Sequence, residues 1–236
     1  MADSTPDIHA IWPAPRPRTP LAVLCSGGVD SAVLLAESLH IYPAVHPLYI
    51  RTGLKWEAVE LAYLRRFLEA VQAPALRPLT TLEQPAGDLY GAHWSVTGRE
   101  VPDAESPDEA VYLPGRNVLL LAKSLLWCHL NGVPEIAMAP LAANPFPDAT
   151  PEFFNALSSA VSLGVEGHLL VLRPYARLTK KQVLQRARGV PLEHTFSCIR
   201  PVDTIHCGAC NKCRERQDAF REAKMVDPTA YATGAR

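Results

Sequence analysis

A chain of 236 residues with 48% hydrophobic content suits one large α/β domain or two small ones and has ample material for a core. Lysines and arginines nearly balance the acids, and a formal net charge of −1 gives no global basic field of the kind that advertises nucleic acid. The N-terminus carries Asp3 and Asp7 without a continuous apolar run, and the most apolar helical stretch, VLLLAKSLLW at 118–127, is broken by Lys123. A bilayer span needs about 20 apolar residues, so the expectation is a cytoplasmic protein with no signal segment and no membrane partner.

Residues 1–20 hold Pro6, Pro13, Pro15, Pro17 and Pro20 and predict a flexible arm, with Ile11 and Trp12 as apolar residues able to dock on the body. Strand signals follow at 21–25, 45–50, 135–139 and 168–172, each a short apolar or β-branched run without polar alternation, as in buried parallel strands. Helical patterns lie between and after them, at 31–40, 56–70, 117–130, 151–163, 179–188 and 213–224. This alternation predicts right-handed crossovers in an α/β, doubly wound, mostly parallel sheet. The stretch 82–112 is rich in turn formers and acids, lacks periodicity, and reads as a lid over the sheet edge or a disordered excursion, with the lid preferred.

At the first junction, Leu21 to Cys25 form a strand, Ser26-Gly27-Gly28-Val29-Asp30-Ser31 a turn, and Ala32 onward a helix. The turn thus lies at the carboxyl end of a parallel strand, where open α/β sheets bind ligands. Helix N-termini leave N–H groups unsatisfied, and two glycines let an anion approach the backbone without a Cβ in the way. Ser26 and Ser31 can add hydroxyl donors, while Asp30 is suited to holding Mg²⁺ or to capping the helix. A capped turn without any ligand is the alternative, because Gly, Asp and Ser are ordinary turn residues. The segment is neither a Walker A loop nor a G-x-G-x-x-G dinucleotide turn.

Near the other end, CIRPVDTIHCGACNKC sets Cys198, Cys207, Cys210 and Cys213 in the pattern C-x8-C-x2-C-x2-C. Four thiolates so spaced can close a tetrahedral Zn²⁺ site of structural character. The alternatives are disulfides, rare in a cytosolic chain, and unrelated core cysteines, which do not cluster in this way. His194 and His206 flank the cluster, but four cysteines leave them no vacancy. Cys25 and Cys128 fall in apolar runs and read as buried small hydrophobes.

S-G-G-x-D-S after a first strand resembles the PP-loop, or ATP pyrophosphatase, superfamily, whose adenine nucleotide alpha hydrolase-like, Rossmann-like fold implies cleavage of ATP between the α and β phosphates. Together with YLPGRN at 112–117, FPDATPEF at 146–153, LTKKQV at 178–183 and the cysteine pattern before RERQDAF, the order of motifs resembles the 7-cyano-7-deazaguanine synthase family over nearly all of residues 21–229. The resemblance implies a zinc-containing homodimer of queuosine biosynthesis that turns 7-carboxy-7-deazaguanine and ammonia into 7-cyano-7-deazaguanine. It implies an acyl adenylate, then an amide, then a second ATP-driven activation to the nitrile. ATP, Mg²⁺ and Zn²⁺ are the implied cofactors. The implied organisation is a mobile arm at 1–20, an ATP-binding α/β domain at 21–190 and a zinc-stapled helical segment at 191–236.

Carried over by residue, the resemblance implies that Ser26, Gly27, Gly28, Val29, Asp30 and Ser31 hold the pyrophosphate. Arg116 bridges phosphate oxygens or the substrate carboxylate, with Asn117 beside it as a ligand contact or a solvent-facing cap. Lys180 is a phosphate contact, or surface, with Lys181 its solvated neighbour. Asp30, Arg116 and Lys180 are the catalytic candidates. Asp148 and Glu152 are candidates for the base or a metal, though Asp148 can equally cap the helix at 151. The sequence departs from the family pattern at 50–60, IRTGLKWEAVE in place of D-Y-G-Q-R-H; at 139–148, APLAANPFPD in place of a glycine-rich motif; and at Thr150, where an arginine is usual. Arg51 and Lys55 are the candidates to replace that lost charge. A divergent enzyme that adenylates another carboxylate, a sulfur transferase and a non-catalytic nucleotide-binding partner protein are the competing readings.

Overall fold

The computed structural model describes residue 12 and residues 18–232. In chain order the elements are β1 (Leu21–Leu24), α1 (Val29–Ile41), β2 (Val45–Arg51), α2 (Glu57–Ala70), β3 (Thr80–Glu83) and two single-turn helices, α3 (Gly87–Tyr90) and α4 (Trp94–Thr97). There follow α5 (Arg116–Leu130), β4 (Glu135–Ala137), α6 (Pro151–Gly164), β5 (Leu170–Leu172), α7 (Lys180–Arg186) and α8 (Asn211–Ala223). The five strands form one sheet in the order β3-β2-β1-β4-β5. Every pairing is parallel, with Leu21 opposite Val45 on one side and Glu135 on the other.

β1 explains the two-layered core. Its side chains alternate, as pleating requires, so Leu21 and Val23 join α1, α2, α7 and α8 in one apolar cluster, while Ala22 and Leu24 join α5 and α6 in another. A strand apolar at every position is therefore one buried on both faces. A third cluster lies beyond the carboxyl ends of the strands, where Leu54, Trp56, Tyr63, Val101, Val111 and Leu113 pack with Phe196 and the four clustered cysteines.

Three expectations need amendment. A fifth strand, β3, sits at the sheet edge. Its sequence, TTLE, is half exposed and has no apolar run to announce it. Helix α1 begins at Val29, not Ala32, because Val29 is buried against the core, so Asp30 and Ser31 belong to the first turn. The 82–112 stretch carries the end of β3, two short helices and a 3-10 turn at Asp108–Val111. Its second half is pinned to the cysteine segment: Asn211 N–H donates to Pro102 O at 3.1 Å and Asn211 Nδ2 to Ser106 O at 2.8 Å.

Trp12 docks as its apolar ring predicts: it is buried, its indole N–H donates to Glu37 Oε2 at 3.2 Å, and its edge meets Tyr42. Glu37 also accepts from Tyr175 Oη at 2.9 Å and Arg186 Nε at 2.6 Å, so the buried carboxylate is fully paired. Ile11 and the prolines at 6, 13, 15 and 17 lie outside the described residues. Among the described residues, no helix is long and apolar enough to cross a membrane.

Candidate active site and thiolate centre

The strand order reverses between β1 and β4, so the loops leaving those two strands diverge and open a crevice at their carboxyl ends. The Ser26–Ser31 segment fills one wall. Gly27 holds φ +70°, and a Cβ there would stand 3.1 Å from Glu60 O, so both conformation and space demand glycine. Gly28 is the N-cap of α1 in extended conformation. The Ser31 hydroxyl accepts from Ser26 N–H at 3.2 Å and donates to Gly28 O at 3.1 Å, folding the loop on itself. Val29 turns its side chain into the core and contributes main chain only. The result is a rigid turn that points a helix N-terminus and two hydroxyls into the crevice, the arrangement that suits a phosphate.

Two cations face this loop. Lys180, the first residue of α7, follows Thr179, whose side chain forms a capping box with Gln182. Its Nζ lies 2.6 Å from Asp30 Oδ2 and 3.4 Å from Glu215 Oε1, and Lys212 Nζ lies 2.6 Å from Glu215 Oε2. Burial opposes the lysine charge, yet the Asp30 and Glu215 carboxylates overcome it and hold the pKa above the ordinary lysine range. Burial likewise opposes the charge on Glu215, and Lys180 with Lys212 brings its pKa down to about 2. Asp30 Oδ1, by contrast, is buried with no partner. Lys181 is exposed.

Arg116 opens α5 after Gly115, which holds φ +72°. Its Nε is buried without a partner. Asn117 donates twice to Asp148, from its backbone N–H to Oδ2 at 3.0 Å and from Nδ2 to the backbone O at 2.8 Å. Asp148 therefore caps α5, across 31 positions of sequence, and not the helix that follows it. The cap of α6 is Thr150, whose Oγ1 accepts from Phe153 N–H at 3.2 Å.

Three adjoining cavities of about 190, 270 and 460 Å³ share Asp30. Ser26 and Arg116 line the first two, and Lys180 the second and third. Of the remaining candidates, Ser31 and Asn117 line the first and Gly28 and Val29 the second. Arg51, Lys55, Asp148 and Glu152 line none of the three. Arg51 is engaged by Glu57 at 2.9 Å and Glu83 at 3.0 Å, so its charge is already compensated. The further cations that face the crevice are Lys212, Arg214 and Arg216. Sequence reasoning did not single out these residues, nor Tyr49, Glu60 and Glu215. The signal for Lys212, Arg214 and Glu215 was their position on the helix that the last two cysteines initiate.

The cysteines converge within the third apolar cluster. The four Sγ atoms lie within 4.8 Å of one another and all four residues are buried. The Cys198–Cys210 and Cys207–Cys213 sulfurs are 3.9 Å apart, against an edge of about 3.8 Å for a tetrahedron with metal–sulfur bonds of about 2.3 Å. Backbone N–H groups of Arg200 and Cys207 point at Cys198 Sγ, both at 3.3 Å, and that of Ala209 at Cys207 Sγ at 3.4 Å. Such donors stabilise thiolates, so the donor set fits a zinc ion. His206 is no ligand: its Nε2 accepts from Ser197 N–H at 3.0 Å, and burial, aided by Arg216, brings its pKa down to about 3. Burial pushes the Cys25 and Cys128 thiols up to about 12, which makes them inert.

The family model described as queuosine biosynthesis protein QueC matches residues 21–224. The 7-cyano-7-deazaguanine synthase of Thiobacillus denitrificans is 33% identical over 89% of this chain and 97% of its own. That of Desulfotalea psychrophila is 28% identical over the same shares. Among solved structures, the U34-tRNA thiolase NcsA of Methanococcus maripaludis is similar over 89% of this chain and 67% of its own, at 13% identity and a TM-score of 0.49.

Proposed function

The chain belongs to the queuosine biosynthesis protein QueC family, and on that premise we propose that it is an ATP-dependent ligase converting 7-carboxy-7-deazaguanine and ammonia to 7-cyano-7-deazaguanine, the activity for which its relatives are named. The observation that carries the reading is the meeting, at the strand-order reversal, of a glycine turn capping α1 with Arg116 and Lys180 around Asp30.

A carboxylate is a poor electrophile, and transfer of AMP to it supplies a leaving group that ammonia can displace. The chain's part is to orient the reactants and to neutralise charge on the departing pyrophosphate. In this reading the α1 N-terminus and the hydroxyls of Ser26 and Ser31 hold the pyrophosphate end. Lys180, kept protonated by Asp30 and Glu215, faces the same phosphates, and Arg116, whose Nε is without a partner, offers its guanidinium to a phosphate or to the substrate carboxylate. Mg²⁺ would lower the charge of the triphosphate, and the atom that fits it is Asp30 Oδ1, buried and without a partner. Zn²⁺ would be held by Cys198, Cys207, Cys210 and Cys213, a closed set that leaves no coordination position for water and so serves the fold.

A homodimer in the cytoplasm completes the reading. Leu126 and Leu130 on α5 and Leu163 on α6 are exposed apolar side chains of the kind that a protomer contact covers. The departures at Thr150 and at 50–60 favour one alternative, a relative that adenylates a different carboxylate, because Thr150 is uncharged, Arg51 is paired with Glu57 and Glu83, and Lys55 lies outside the three cavities. Mass spectrometry of the products from pure protein, ATP, Mg²⁺, ammonium and 7-carboxy-7-deazaguanine separates these outcomes. The nitrile with AMP and pyrophosphate is expected; AMP formed only when another carboxylate is supplied selects the alternative, and no AMP with any carboxylate overturns both.

A further inference from the structure

Helix α2 carries two buried acids, Glu57 and Glu60, and of the two the second lines the crevice. Glu57 Oε2 accepts from Thr52 N–H at 2.6 Å and Gly53 N–H at 2.9 Å, and Oε1 from Arg51 Nε at 2.9 Å. One turn on, Glu60 lies against the pyrophosphate turn: a Cβ built on Gly27 would stand 3.3 Å from its Cγ. Glu60 lines the two smaller cavities together with Ser26, Asp30 and Arg116. Tyr49 Oη, on β2, fixes Oε2 by donating to it at 2.6 Å.

The groups facing Glu60 are Tyr49 from β2, Arg116 from α5, Glu57 from its own helix and the Trp56 indole. Burial raises its pKa to about 7, with Arg116, Tyr49 and Trp56 pulling downward and Glu57 adding to the rise. Tyr49 is itself held neutral by burial and by Glu60, so it remains a donor. Here, beside the phosphate turn, is a carboxylate poised to exchange a proton near neutrality, which is the property of an effective general base.

The activity proposed above needs such a group. Ammonium, like a lysine ammonium, keeps its proton at neutral pH and has no lone pair to attack with. We propose that Glu60 is the base that takes a proton from ammonium at the step that forms the C–N bond, an inference that rests on the adenylating reading. One proton passes from ammonium to the Glu60 carboxylate. The freed nitrogen lone pair bonds to the acyl carbon, the bond from that carbon to the AMP oxygen breaks, and AMP leaves with the electron pair. The new amide nitrogen releases its extra proton to water, and Glu60 returns its own to solvent.

The test uses Glu60→Gln, which preserves shape and the Tyr49 contact, and follows two reactions. ATP–pyrophosphate exchange driven by 7-carboxy-7-deazaguanine reports adenylation, and amide formation reports attack by nitrogen. Exchange is expected to stay within about threefold of the unsubstituted protein while amide formation falls about 10²- to 10⁴-fold. Per total ammonium, the unsubstituted protein gives a level rate above pH about 7 that drops below it. The variant's rate climbs about tenfold per pH unit as free ammonia becomes available. Tyr49→Phe, which removes a donor to the carboxylate, moves the acid limb to higher pH. Unchanged amide formation in Glu60→Gln, exchange falling in step with it, or an unmoved limb in Tyr49→Phe would each overturn the assignment. Absence of exchange in the unsubstituted protein would remove adenylation itself, a failure of the underlying reading that takes this step with it.

Discussion

The Ser26–Ser31 turn touches the segment leading into the cysteine knuckle, since Phe196 N–H donates to Gly27 O at 2.7 Å, yet the two differ in what their candidate ligand atoms face. Around the turn, Asp30 Oδ1 and Arg116 Nε are buried and unpartnered. Around the knuckle His206 Nδ1, Asn211 Oδ1 and Arg214 Nε are also buried and unpartnered, but the sulfurs are not: N–H groups point at those of Cys198 and Cys207, and the four thiols close on one point. Unmet polar groups cost stability and are retained where a ligand completes them, whereas closed sets hold the chain together. The turn thus leaves charged side-chain atoms open to the crevice, while the four sulfurs face one another.

Four substitutions can break or sharpen that contrast. The largest effect is expected from Cys210→Ser, which opens the metal set: zinc content should drop and the melting temperature fall by about 10 °C, read by metal analysis and calorimetry. Arg116→Ala should do the reverse. Exchange of pyrophosphate into ATP should fall about 10²- to 10³-fold, while melting shifts by no more than about 2 °C, because no internal bond to its buried Nε is lost. Gly27→Ala tests where the two regions join. A side chain at φ +70° costs about 1–2 kcal/mol, so melting should fall by about 5 °C with exchange reduced about tenfold. The smallest effect belongs to Thr150→Ala, which removes the α6 cap for about 1 kcal/mol and should leave product formation unaltered. A large activity loss there would assign Thr150 to the substrate side.

The Ser26–Ser31 turn and the cysteines were legible because each is written within a short stretch: an apolar run stopped by small residues, and three sulfurs spaced three positions apart with a fourth nine positions upstream. Features set by distant partners were not. Asp148 caps α5 through Asn117, 31 positions earlier, and nothing near it in sequence marks that helix as its target. Glu57 and Glu60, spaced like the solvated face of an amphipathic helix, are both buried, because the strand-to-helix loop and Tyr49 supply donors that no local pattern reveals. β3 escaped for the same reason, since its place comes from pairing with β2 and not from its own half-exposed side chains. The departures at 50–60 point, in sequence alone, to Arg51 and Lys55 as replacement charges. The fold spends Arg51 on Glu57 and Glu83.

Trp12 has a practical corollary for anyone preparing this protein. Its indole closes over Glu37, the acid that also anchors Tyr175 and Arg186, and its edge shields Tyr42. Trimming of the amino-terminal residues to ease crystallisation should stop upstream of residue 12, since removing Trp12 would admit water to a carboxylate wedged between α1 and α7. Affinity tags belong at the far amino end, ahead of that clasp.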